Sequence, residues 1–199
     1  MYKVILHVVI IVVLLMSCEL VAWAFTYTEA TDAGQSLSTA LAVPSGANSI
    51  IGALSPVGDI DIYRLTFGTS ANLTIRVTYT DTYFDSDTFV FDSAGHPLGN
   101  YDASLFTVAI TPGTYYLAVS DWNTAATDDS GTTIADDRYN ILDTSAVFGG
   151  WVMNEDGGAL NGGPYFISLS TATVPEPSSI LLIVLGASTV AALRIKRRN

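Results

Sequence analysis

The residues best suited to chemistry in this 199-residue chain are carboxylates. Asp81, Asp85 and Asp87 crowd one short stretch, Asp59 and Asp61 flank Ile60, and Asp121, Asp128 and Asp129 fall in a third region. Carboxylates that converge in a loop suit a hard cation such as calcium, which takes about six to eight oxygen ligands. None of these groups forms the EF-hand pattern with its central glycine and terminal glutamate. The spacing makes Asp85 and Asp87, with Asp81, the candidate calcium ligands. Asp59 and Asp61 have a plainer reading, as carboxylates beside a tight turn that accept backbone N–H bonds.

Other chemistry finds little to work with. His7 lies in an N-terminal apolar run, and the second histidine, His96, sits in a Gly-His-Pro turn. With Cys18 as the single cysteine, neither a Cys–His pair nor a zinc ligand set is at hand in the body of the chain. A glycosidase needs only two carboxylates, but acids are so plentiful that no pair stands out. The chain therefore reads as a non-enzymatic protein, with a secreted hydrolase as the weakest alternative. Tyr79, Tyr83, Phe84, Tyr101 and Trp122 lie in or beside loops, where sugar rings could stack, and Trp151 lies in a Gly-rich segment. The plainer reading of these aromatics is core packing.

The elements that would position these residues are strands. Leu73, Ile75, Val77 and Tyr79 alternate with Thr74, Arg76, Thr78 and Thr80, the period-two pattern of a strand with one buried face. Tyr63, Leu65 and Phe67, then Tyr115, Leu117 and Val119, then Tyr165, Ile167 and Leu169 repeat it. Phe89 and Phe91 share a face, and 105–110 is a further apolar stretch. Turn sequences separate them at Pro56-Val57-Gly58-Asp59, Ser93-Ala94-Gly95-His96-Pro97 and Thr111-Pro112-Gly113. Short strands with regular turns predict an all-β fold, a single antiparallel β-sandwich over residues 25–173. Residues 123–137 are polar and acidic and read as a long surface loop.

Residues 25–173 hold seventeen of the nineteen acids but only Arg64, Arg76 and Arg138 of the eight basic residues, a balance of −14 with no lysine. Such a surface repels nucleic acid and attracts divalent cations. No cysteine falls in this segment, so no disulfide supports it.

Both ends read as processing signals. Lys3 precedes the apolar run Val4 to Met16, and Ala22-Trp23-Ala24 offers small residues at the two positions signal peptidase reads. This predicts a signal peptide over 1–24, cleaved after Ala24. A second reading of the segment stands beside it: Leu15-Met16-Ser17-Cys18 resembles a lipobox, which would make Cys18 a lipidated N-terminus. At the other end Pro175-Glu176-Pro177 precedes an apolar run from Ile180 to Leu193 and the basic residues Arg194, Lys196, Arg197 and Arg198. A helix over 178–195 would be about 27 Å long, enough for a membrane core. Basic residues stay cytoplasmic, so both ends place the domain between them on the outer side. A plain tail anchor that is never cut is the alternative for this end.

The order Pro-Glu-Pro, one short apolar helix and an Arg-rich end resembles the PEP-CTERM sorting signal over residues 174–199. The resemblance makes Pro175, Glu176 and Pro177 the recognition triplet for an exosortase and the basic cluster the cytoplasmic stop. Proteins of that family occur in Gram-negative bacteria that make extracellular polysaccharide. Two prolines cannot continue a helix or pair within a sheet, which keeps such a triplet extended and open to an enzyme.

Residues 49–171 resemble the bacterial pre-peptidase C-terminal domain, a small β-sandwich. Gly58-Asp59-Ile60-Asp61-Ile62-Tyr63 matches its G-D-x-D-x-[FY] opening, and Phe91-Asp92-Ser93-Ala94-Gly95 its strand-to-turn step. Pro112-Gly113-Thr114-Tyr115-Tyr116 and Gly163-Pro164-Tyr165 match two later strand starts. Residues 133–162 depart from that pattern. Together these readings predict a cell-surface or matrix protein associated with exopolysaccharide or biofilm. It passes through signal peptidase, an inner-membrane intermediate with its body in the periplasm, and exosortase. The alternative is a carbohydrate-binding module for the same polysaccharide. Calcium is the one cofactor the residues suggest.

Overall fold

The computed structural model describes residues 24–55, 58–79, 86–101, 105–136, 140–153 and 162–173, and in them every regular element is a strand. In chain order β1 Phe25–Thr28, β2 Leu41–Ala42, β3 Ala47–Ala53, β4 Ile60–Phe67 and β5 Ala71–Tyr79 come first. β6 Ser86–Asp92, β7 Pro97–Tyr101, β8 Leu105–Ile110 and β9 Gly113–Asp121 follow. β10 Thr124–Thr127, β11 Thr133–Asp136, β12 Asn140–Ile141, β13 Gly150–Met153 and β14 Pro164–Thr173 complete the set.

Two five-stranded sheets form the sandwich. The first has the order β1-β3-β14-β5-β8 and the second β2-β4-β9-β6-β7. Most neighbours are antiparallel, as the alternation predicts, but the edge pairs β1–β3 and β2–β4 are parallel. Between the sheets lie Leu73, Ile75, Val77, Ile167 and Leu169 from the first and Tyr63, Leu65, Leu117 and Val119 from the second. Their exposed neighbours Arg76 and Thr78 point outward, so the period-two reading of β5 describes the fold directly.

The second sheet is buried on both faces. Ile60, Ile62, Phe89, Phe91 and Ala118 turn away from the sandwich core and pack under a third sheet, β12-β11-β10-β13. Leaving Ile60, Ile62, Phe89 and Phe91 in water would cost about 6–12 kcal/mol, comparable to the whole stability of a domain, so this third layer is obligatory. It also corrects the loop expected over 123–137. β10 and β11 lie there, with Ala125, Ala126, Ile134 and Ala135 buried. Their small side chains give no strong alternation, and the third layer is thin because it packs alanine against aromatic rings. Asp128 closes the turn between the two strands, accepting from the Ser130 and Thr132 N–H groups at 2.9 Å each.

The sandwich has two distinct ends. β14 starts with Pro164 level with Ala53 and finishes with Thr173 level with Ala71. Ala71 is level with Ile110, Phe67 with Gly113, and Phe25 with Ala47, so these residues share the end at which β14 leaves. Thr28, Ala53, Ile60, Ser86 and Asp121 share the other.

Candidate functional site

Among the described residues, one group of carboxylates converges. Glu29, Asp32 and Asp61 bring carboxylate oxygens within 4.8 Å of one another, at the end opposite the exit of β14. Three elements deliver them. β1 ends at Thr28, and the Glu29 N–H donates to Ile51 O at 2.9 Å, which holds Glu29 beside β3. The chain then crosses to the second sheet, where Gly34 O accepts the Ile62 N–H at 3.2 Å and so carries Asp32 towards β4. Gly34 has φ 69°, a left-handed conformation that favours glycine. Asp61 is the second residue of β4 and falls on the same face as Tyr63 and Leu65, so alternation alone turns its carboxylate into the mouth of the sandwich.

Asp61 is fully buried, Glu29 half-buried and Asp32 exposed. Four oxygens run in a row: Glu29 Oε2, Tyr63 Oη, Tyr165 Oη and Asp61 Oδ2. The steps between them are 3.1, 2.6 and 2.5 Å. The two tyrosine hydroxyls carry one proton each, so they fill only two of three contacts. The third requires a proton on a carboxyl at one end of the row. Burial accordingly pushes Asp61 up to about 7, helped by the negative charges of Glu29, Asp59 and Asp32 and opposed by the Tyr165 hydroxyl. Burial likewise raises Glu29, against bonds from the Ala53 N–H and the Tyr63 hydroxyl. The same burial keeps both tyrosines neutral.

Gly52 makes this row possible. A Cβ there would fall on the Tyr63 and Tyr165 hydroxyls, so only glycine lets the two rings meet over β3. Glycine inside an apolar strand was the signal available in the sequence, and together with the later Tyr165 it was not enough to place the pair.

The cluster fits a hard divalent cation. All its donors are oxygens, and two of them, Glu29 Oε1 and Asp61 Oδ1, are buried without a hydrogen-bond partner. A buried carboxylate oxygen left unpaired costs free energy that a proton or a cation can recover. A cleft of about 390 Å³ opens beside the cluster, lined by Thr28, Thr31, Gly52, Ala53 and Ser55, with room for the water ligands calcium usually keeps.

The turn reading of Asp59 holds. Its carboxylate accepts the Ser55 N–H at 2.8 Å, the Ile60 N–H at 2.9 Å and the Gln35 amide at 3.3 Å. For Asp61 that reading fails, because the side chain bonds to Tyr165 rather than to a turn. Of the expected trio, Asp81 and Asp85 lie outside the described residues. Asp87 is buried on β6 and its Oδ2 accepts the Thr124 N–H at 2.9 Å. His96 donates its backbone N–H to Asp92 Oδ1 at 2.9 Å and holds Nδ1 3.0 Å from Oδ2, closing the β6–β7 turn. Trp151 is partly buried and covers the second core: its ring centroid lies 4.7 Å from that of Phe148 and 5.2 Å from that of Phe89, and its N–H donates to Gln35 O. Tyr79 is partly buried, with its hydroxyl against Ser86 Oγ, and Trp122 is half-buried. Tyr83 and Phe84 lie outside the described residues, as does the side chain of Tyr101.

Ala24 is exposed immediately before β1. Ala22, Pro175, Glu176, Pro177 and the basic residues Arg194, Lys196, Arg197 and Arg198 lie outside the described residues. Among the described residues no helix is long and apolar enough to cross a membrane, and the span expected over 178–195 lies beyond them.

Comparison with known proteins adds a family for the C-terminal segment. Residues 173–198 match the PEP-CTERM protein-sorting motif. The chain therefore carries an exosortase sorting signal, the mark of an exported protein processed at the membrane. No curated protein matches the sequence. Among solved structures, the pre-peptidase C-terminal domain of a collagenase from Bacillus anthracis is similar. It shares 12% identity over 74% of this chain and 96% of that one, with a TM-score of 0.39. PliG from Aeromonas hydrophila, a periplasmic inhibitor of g-type lysozyme, is similar at 13% identity, over 75% and 99%, also at 0.39. At those values the all-β assignment rests on the strand pairing itself, and nothing about ligand or activity follows from either neighbour.

Proposed function

We propose that this is a non-enzymatic surface or matrix protein whose β-sandwich is clamped at one end by a calcium ion held by Glu29, Asp32 and Asp61. The observation that carries the reading is the fully buried Asp61, whose Oδ1 lacks a partner while two more carboxylates stand beside it. Glu29 and Asp32 follow β1 in the chain, and Asp61 belongs to the core strand β4. A cation shared by them ties the N-terminal segment to the body of the domain. Its chemistry is structural: it neutralises three converging carboxylates and accepts water or a further oxygen ligand on the cleft side. Thermal unfolding of the exported protein tests this. A melting temperature that rises with millimolar calcium and falls with EDTA supports it, and one indifferent to both overturns it.

The sorting motif supplies the address. The reading continues that an N-terminal signal is removed by signal peptidase and that the apolar run over 178–195 anchors an intermediate in the inner membrane. The body then lies in the periplasm until an exosortase releases it to the outer surface or matrix. Association with extracellular polysaccharide is supported by the sorting motif and by an acidic, lysine-free body that reaches anionic polymers through divalent cations. Retention on extracted polysaccharide in calcium, and release by EDTA, is the expected result. Retention on no glycan in either condition would remove the polysaccharide reading and leave the cation clamp standing.

A further inference from the structure

An edge strand exposes unpaired N–H and C=O groups to any other strand, and folds blunt such edges with short length, bulges, proline or charge. Among the described residues, every sheet edge but one is blunted. β2 and β12 have two residues each. β1 has four, with a register shift between Phe25 and Thr26. β7 starts at Pro97, contains Gly99 and meets a register shift between Val90 and Phe91. β13 has four residues and starts at Gly150. β8 differs from all of these. Leu105–Ile110 pairs with β5 along its whole length without a register shift, and it holds no proline, glycine or charge.

Hydrogen-bond parity shows which groups of β8 are open. The Leu54 N–H donates to Gly163 O, one step beyond the paired Ala53 and Pro164. Hydrogen-bonded positions alternate along an antiparallel pair. From there the alternation carries across the registers: Leu73 and Ile75 turn their backbone groups to β8, where Val108 and Phe106 meet them. Leu105, Thr107 and Ala109 therefore point their N–H and C=O groups beyond the edge of the sheet. Their side chains lie exposed on its outer face, Leu105 by 45%.

We propose that β8 pairs antiparallel with β8 of a second copy, about a two-fold axis that passes through the sheet at Thr107. That register sets Thr107 opposite the partner's Thr107 and Leu105 opposite the partner's Ala109, and each opposed pair exchanges two backbone bonds. Sliding either copy by two residues leaves Leu105 or Ala109 unmet. A second copy brings a strand of equal length and equal parity that holds no carboxylate. Charge permits the approach. Arg76 and Leu105 fall level with the partner's Ala109 and the partner's Asn72, and Thr74 and Thr107 level with the same two residues of the partner. The Thr74 and Thr107 hydroxyls already bond at 2.9 Å, so the joined sheet doubles that ladder. No carboxylate lies in these rows, which matters between two domains that each carry −14. In the second sheet, Asp92 and His96 of the β6–β7 turn pair with each other at 3.0 Å. The contact is closed by its symmetry, so it yields a dimer rather than a fibre. It runs along one strand for about 20 Å, which places it among the small, weak interfaces. Antiparallel pairing also sets the two Glu29–Asp32–Asp61 clusters at opposite poles of the dimer.

The test uses the full chain in nonionic detergent, carrying Cys18→Ser and a nitroxide on Thr74→Cys. In the dimer the two labelled positions lie three strand spacings apart, about 14 Å between Cα atoms. Dipolar broadening of the EPR line should therefore grow with protein concentration, in step with a dimer seen by sedimentation. Thr107→Pro should abolish both and leave the melting temperature unchanged, because the Thr107 N–H points away from β5 and proline is tolerated there. Thr107→Lys, which sets two ammonium groups opposite each other, should do the same and serves if the proline variant does not fold. A chain that stays monomeric at millimolar concentration overturns the proposal. So does a dimer without broadening, or one that keeps its strength in a folded Thr107→Pro or Thr107→Lys variant, since its contact then lies elsewhere. Growth into filaments overturns the closed two-fold pairing.

Discussion

Replacing Asp61 with Asn separates what the carboxylate costs from what it does. In the absence of a cation, Asp61 is a buried acid whose folded-state pKa lies near 7 against 3.8 in the unfolded chain. Each unit of that difference corresponds to about 1.4 kcal/mol, so at pH 8 the ionised side chain costs the fold up to about 4 kcal/mol. Asn keeps the shape, can still accept the Tyr165 hydroxyl through Oδ1, and carries no charge to desolvate. Allowing for imperfect bonding of the amide, Asp61→Asn should stabilise the protein by about 2–4 kcal/mol at pH 8 in EDTA, a rise of about 5–15 °C. At pH 5 the fold keeps a proton that the unfolded chain has released, so the gain should be about 2–3 kcal/mol smaller than at pH 8. With calcium the gap closes. The native chain gains about 2.7 kcal/mol at a calcium concentration one hundred times the dissociation constant, and the variant gains nothing. Calorimetric scans at pH 5 and pH 8, each in EDTA and in calcium, read all four conditions. A variant destabilised equally at both pH values, or stabilised by calcium as much as the native chain, would refute the reasoning.

Further outcomes follow from the same geometry. In EDTA the native protein should lose stability as pH rises from about 4 to 7. Across that window the fold keeps a proton on Asp61 that the unfolded chain has released, and the raised Glu29 acts in the same direction. Asp92 acts oppositely at the acid end: burial resists its ionisation, but bonds from His96 and Ala94 outweigh it and hold it low, so its contribution is lost as pH falls below about 4. Millimolar calcium should flatten the decline between pH 4 and 7, as melting curves across pH will show. Gly52→Ala should destabilise by about 2–3 kcal/mol by forcing Tyr63 and Tyr165 apart, seen as a lower denaturation midpoint together with weakened calcium binding. Trp151→Ala should cost about 2–4 kcal/mol by uncovering Phe89 and Phe91, without changing the calcium response, as denaturant titration with and without calcium will show.

Much of this was legible in the sequence, and its limits are physical. Strands such as β5 and β14 are read from alternation because one face meets the core and the other meets water. β4 and β6 hide part of their pattern because both faces are buried, and β10 and β11 hide theirs because alanine suffices beneath aromatic rings. The sorting motif was readable since its order is local. The carboxylate cluster was not, because it joins a residue after β1 to one in β4 through tyrosines in β4 and β14, and Gly52 matters only once those rings meet. Asp81, Asp85 and Asp87 attracted notice because they are close in sequence. Asp61 stands beside Glu29 because its strand turns it inward, a placement that Gly58-Asp59-Ile60-Asp61 alone does not disclose.

Isothermal titration calorimetry of calcium into the exported protein tests the central claim most directly. One ion should bind per chain at Glu29, Asp32 and Asp61, releasing part of a proton at pH 7 as Asp61 ionises, and Asp61→Asn should abolish the heat. The absence of binding heat at millimolar calcium, or undiminished binding by the Asp61→Asn variant, would contradict it.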